Sequence, residues 1–146
     1  MRFVTLAGRI LFALIFVAST AGHFTRAEID MAAAHGVPLA SILVPVSGLI
    51  ALAGGLSVAT GYKARIGAWL LALFLVPVTF IMHNFWTVQD PATAQLQQIM
   101  FLKNISMLGG AFLIAYFGAG PLSVDAWLTN RSYESYPAQK PERRVA

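Results

Sequence analysis

The chain contains no cysteine. Disulfides, thiolate nucleophiles, cysteine zinc sites, iron–sulfur clusters and covalent c-type haem are excluded together. No covalent cofactor is therefore expected, and any redox chemistry would need a bound cofactor such as a quinone. Charge is scarce as well: Asp, Glu, Lys and Arg make up 11% of the 146 residues, against about 25% in an ordinary soluble domain. Carboxylates are the scarcer sign, and none falls inside the long apolar runs. Proton relays and di-iron sites built on intramembrane carboxylates are removed by that absence. The net charge is +4, yet the cations flank apolar blocks instead of interleaving with aromatics on one surface, so nucleic acid is not an expected partner.

What is abundant is apolar, at 58% of the chain. It is gathered into four stretches, roughly Val4–Gly22, Ser41–Thr60, Ile66–Met82 and Ile99–Phe117, each close to the 20 or so residues that cross a hydrocarbon core about 30 Å thick. The expected fold is all-α, an integral membrane four-helix bundle in a lipid bilayer. A four-span domain over residues 1–125 is followed by a polar, basic and disordered cytoplasmic tail over 126–146. With both termini on one side, that side holds Arg2, Arg9, Lys63, Arg65, Arg131, Lys140, Arg143 and Arg144, and the other holds Arg26 and Lys103. Short cytoplasmic loops carry the excess of Lys and Arg, which places both termini in the cytoplasm of a bacterial-type inner (plasma) membrane.

Local signals fill in the loops. Thr25 and Glu28 have capping-box spacing, and Gly36 and Pro38 close the segment, so a short surface helix is expected over Arg26–His35, between the first two spans. Asp90 followed by Pro91 reads as an N-cap and first helical position for the fourth helix. Ser47, Ala51, Gly55 and Ala59 recur every four residues, and Ser106 and Gly110 share that spacing. Such small-residue faces allow close helix approach, within one chain or between copies in a homo-oligomer. Pro45 and Pro77 interrupt the second and third spans and are expected to kink them.

The polar side chains retained near the span ends fall on one side. His23 ends the first helix, His83, Asn84 and Trp86 end the third, and Lys103 and Asn104 lie near the start of the fourth. Two imidazoles, an ammonium, two amides and an indole N–H make a donor-rich set without fixed negative charge, suited to an anion or a molecule with carbonyl oxygens. Phe24, Phe80, Phe85, Trp86 and Phe101 are expected to supply an aromatic wall. No catalytic set is visible. Lys103 could equally snorkel, His83 and Asn84 could serve only as a helix cap, and His35 reads as solvated.

The run GRILFALIFVASTAGHF, the ending HNFW, the run FLKNISMLGGAFLIAYFGAG and the exit GPLSVDAW, in that order over Thr5 to Trp127, resemble the DoxX family of small four-helix membrane proteins. The resemblance implies an inner-membrane bundle serving a quinone-linked oxidoreductase system, with a partner redox protein supplying electrons. His83, Lys103 and Asn104 match the family pattern. His23 stands where Lys is common, and Ala51 stands where Glu is common. On that reading the chain binds a quinone at the outer end of the bundle. The alternatives are a non-catalytic binder or transport-related protein for a lipid or small molecule, and a membrane assembly scaffold.

Overall fold

The computed structural model describes residues 2–134. Four long helices carry the apolar blocks: α1 (Arg2–Ser19), α3 (Ala40–Thr60), α4 (Ala64–Met82) and α5 (Pro91–Phe117). All four are long and apolar enough to cross a membrane. Between α1 and α3 lie a 3₁₀ turn (Thr20–Phe24) and the short helix α2 (Arg26–Ala34); a second 3₁₀ turn (Phe85–Thr87) precedes α5, and α6 (Val124–Glu134) follows the exit segment. α6 begins two residues before the expected cytoplasmic tail and runs into it. Residues 126–134 of that tail are helical, because the Ser123 hydroxyl accepts from the Ala126 N–H at 3.1 Å and opens a helical turn. The rest of the expected tail lies outside the described residues.

The helix ends follow the sequence signals closely. The Thr25 hydroxyl accepts from the Glu28 N–H at 3.4 Å, which caps α2, and the Asp90 carboxylate accepts from the Thr93 N–H at 2.8 Å and its hydroxyl at 2.6 Å. Those two bonds favour the charged form and hold the Asp90 carboxyl below its ordinary value. Pro45 and Pro77 lie inside helices that run through them unbroken.

Packing runs from α1 to α3, from α3 to α4 and from α4 to α5. In lipid this association depends on close approach of small residues. A Cβ at Gly54 would lie 2.9 Å from the backbone oxygen of Gly67 on α4, and one at Gly55 would lie 3.0 Å from Val17 of α1. Of the expected stripe, Ala51 and Gly55 are buried, but Gly48 and Gly54 share the tight faces with them. Gly110 of α5 receives the ring of Phe12, 2.9 Å from where a Cβ would stand; Ser106 is exposed. The central layer is formed by Ala13, Phe16, Ala51, Val58, Leu71 and Leu75. Leu11, Leu14, Leu49, Trp69, Leu113 and Tyr116 point outward and are exposed, the distribution expected when lipid is the solvent.

Away from α2, the bundle is closed by Arg9. This residue of α1 is only 4% exposed. Its guanidinium donates to the carbonyls of Ala119, Leu122 (3.0 Å) and Ala59 (3.3 Å), joining α1, the end of α3 and the exit segment. Gly61, at φ +72°, has no side chain to collide with that guanidinium: a Cβ there would lie 3.0 Å from its Cζ. The neighbouring turn is held by Asp125, whose Oδ1 accepts from the Lys63 N–H at 2.8 Å and Oδ2 from the Ala64 N–H at 3.2 Å. Lys63 adopts φ +48° in that turn.

Candidate functional site: a cavity beneath the surface helix

At the α2 end the four long helices line a partly open cavity of about 790 Å³. Its walls are largely aliphatic, from Ile15, Leu43, Val46, Ile50, Leu73 and Val78. His23, His83, Lys103 and Asn104 all line it, so four of the six expected site residues share one space.

The fold uses one nitrogen of each lining histidine. His23 Nδ1–H donates to the Ser19 carbonyl at 3.1 Å, and the ring lies 5.6 Å from that of Phe74. The close approach of α3 allows this, because a Cβ at Gly48 would lie 2.6 Å from the His23 Cβ. His83 Nδ1–H donates to Gln97 Oε1 at 2.8 Å, tying the end of α4 to α5, and His35 Nδ1–H donates to the Met31 carbonyl at 2.8 Å. In a neutral imidazole with Nδ1 protonated, Nε2 is an acceptor, so the histidines present acceptors where the sequence suggested donors. Lys103 Nζ contacts the sulfur of Met100 at 3.3 Å. Asn104 is 4% exposed. Its amide makes no side-chain hydrogen bond among the described residues, which leaves both donor and acceptor to the cavity.

Asn84 and Trp86 stand apart from this space. The Asn84 carbonyl accepts from the N–H of Thr87 at 3.0 Å and its hydroxyl at 2.9 Å, within the turn before α5. Trp86 is 56% exposed and joins Phe85 and Phe101 edge-to-face, with Phe80 also against Phe101. Four rings of the expected aromatic wall therefore form a cluster on the outside of α4 and α5 by mutual edge-to-face packing, and the fifth, Phe24, is exposed and lines neither that cluster nor the cavity. The aromatic rings on the cavity are those of Phe16 and Phe74.

Other polar residues that the sequence did not assign to the site, among them Glu28, His35 and Gln97, also line the cavity. Glu28, Met31, Ala32 and His35 lie at positions i, i+3, i+4 and i+7 of α2, and this spacing puts them on one helix face. That face is laid over the cavity, so Glu28 brings a carboxylate to a site expected to have none. Among the described residues no three His, Asp or Glu side chains gather as they would around a metal ion.

These features define a polytopic α-helical membrane protein with a small-molecule-sized cavity at one end of its bundle. The class leaves the family open. The chain belongs to the SURF4 family, which it matches over residues 1–129. It is similar to the Inner membrane protein YqjF of Escherichia coli (strain K12), 28% identical over 86% of this chain and 92% of that protein. It is also similar to the ER-derived vesicles protein ERV29 of Saccharomyces cerevisiae, 28% identical over 84% of this chain and 33% of that protein. A Surfeit locus protein 4 homolog of Schizosaccharomyces pombe is 29% identical over 82% of this chain and 36% of that protein. The chain thus spans about a third of these two yeast relatives. No solved structure matches it.

The family match overturns the DoxX resemblance. The segments that suggested it are small-residue, aromatic and helix-end patterns imposed by lipid on many short helical bundles, and they do not separate one such family from another.

Proposed function

We propose that this chain is a non-catalytic, transport-related membrane protein that holds a small amphiphile, a lipid or an apolar metabolite with a polar head, in the cavity beneath α2. The carrying observation is the cavity of about 790 Å³, within the 300–1,000 Å³ or so usual for small-molecule sites. Its apolar walls suit a hydrocarbon body. Lys103 and Asn104 offer hydrogen bonds to carbonyl or anionic oxygens, while Glu28 and the histidine Nε2 atoms accept from hydroxyl or amine groups.

Membership of the SURF4 family supports handling of a molecule over its conversion, since one relative is named for ER-derived vesicles. A quinone is one guest of the right chemical type, but the resemblance that tied this chain to an oxidoreductase system no longer stands. The name of the Escherichia coli relative supports an inner-membrane location, and the distribution of cations supports cytoplasmic termini.

The test is mass spectrometry of small molecules extracted from gently purified protein, comparing the parent with a Lys103→Ala, His83→Ala double variant. The expected result is a stoichiometric amphiphile in the parent that is lost from the folded variant. Equal retention by both, or redox turnover by the isolated chain with a simple electron donor, would refute the reading.

A further inference from the structure

The opposite end of the bundle carries a second concavity, of about 470 Å³, between the α3–α4 turn, the start of α4 and the exit segment. Lys63, Arg65, Ser123 and Thr129 form its polar side. Its apolar side includes Ile66 and Phe117, which are 58% and 72% exposed at the ends of their spans. Asp125 is the acid among the lining residues. Its two oxygens each accept from a backbone amide, of Lys63 and of Ala64, and two lining cations, Lys63 and Arg65, stand against this one carboxylate.

One further feature favours an anion. Arg9, buried behind the exit segment, adds a third positive charge, which its carbonyl partners solvate and Asp125 offsets in part. Three cationic centres thus face one carboxylate, at the level where apolar spans give way to polar chain.

We propose that this groove binds an anionic phospholipid, with the phosphate held by Arg65 and Lys63 and the start of an acyl chain lying along Ile66 and Phe117. A guanidinium fork matches two phosphate oxygens at once, and an ammonium adds a compact point charge. The apolar flank selects a lipid over a free anion. This site is separate from the cavity beneath α2, and neither proposal depends on the other.

The test reconstitutes the full chain in vesicles of phosphatidylcholine with a minor share of phosphatidylglycerol, re-extracts it gently, and counts retained lipids by native mass spectrometry. The parent is expected to retain phosphatidylglycerol selectively, and a Lys63→Asn, Arg65→Gln variant to lose that selectivity by about ten-fold or more. Asn tolerates the positive φ of position 63. The single Arg65→Gln change, at an exposed position, provides a second variant with a smaller loss in the same direction. Arg2→Gln, at the same end but outside the groove, should retain the parent's selectivity. Selectivity unchanged in the folded variants, an equal loss in Arg2→Gln, or displacement of the lipid by inorganic phosphate would overturn the proposal.

Discussion

Replacing Gly54 and Gly109 by alanine, one at a time, should move stability in opposite directions. A Cβ at Gly54 would lie 2.8 Å from Cγ and Cδ2 of Leu71 and 2.9 Å from the backbone oxygen of Gly67. Leu71 is fully buried and the other neighbour is backbone, so α3 and α4 must separate to admit the methyl group. Overpacking of this kind costs about 1–3 kcal/mol, and the upper half of that range applies where nothing can rotate away. Alanine recovers about 1 kcal/mol of helix propensity over glycine, which leaves Gly54→Ala less stable by roughly 1–2 kcal/mol. At Gly109 a Cβ meets nothing within 4 Å, and the same propensity term makes Gly109→Ala more stable by up to about 1 kcal/mol. The assay is reversible unfolding in bicelles by steric trapping, with both labels on introduced cysteines; the chain's lack of native cysteine removes background labelling. Gly54→Ala as stable as the parent would refute the α3–α4 contact as the tight seam. Gly109→Ala falling as far as Gly54→Ala would show that Gly109 is covered.

Arg9→Met should destabilise the bundle by about 2–5 kcal/mol, because it leaves the buried carbonyl of Ala119 and the part-buried one of Leu122 without their donor; the same unfolding assay measures it. Asp125→Ala removes the acceptor for two turn amides and should cost about 1–2 kcal/mol, as loss of a helix cap does, with faster amide exchange at Lys63 and Ala64 as its local signature. The Asp90 carboxyl is held below its ordinary value by Thr93, so its stabilisation of the first turn of α5 is fully present above about pH 4, the ordinary aspartate value, and is lost as pH falls through the lowered one. Exchange protection of the Thr93 amide should therefore fall below that pH in the parent and show no such step in Asp90→Ala.

The spans, the surface helix and both helix caps were legible because each rests on a local rule: length of apolar run, capping spacing, proline after aspartate. The convergence of His23, His83, Lys103 and Asn104 was legible too, since antiparallel helices bring alternate ends together. Other features depend on rotation about a helix axis, which packing sets and periodicity does not. Arg9 read only as one of the cations on the side of the termini, and nothing nearby in sequence announces that carbonyls more than a hundred residues away will receive it. Asn84 and Trp86 share a short segment with His83, but the backbone turns after α4 and carries them out of the cavity. Glu28 kept its backbone role in the Thr25 cap while its side chain went to the cavity, a division that capping-box spacing does not foretell. Family identity failed for a different reason: the quoted segments report the demands of the bilayer, which unrelated bundles meet alike.

The Arg9 clamp also makes the two ends of the bundle mechanically unlike. One end is pinned through three backbone carbonyls and a capped turn, and between it and the cavity stand Val58, Leu71 and Leu75, each essentially without exposed surface. Such a bundle is a cup and not a pipe. The cavity beneath α2 and the groove at the pinned end accordingly share no lining residue, and each is open to its own side of the bundle alone.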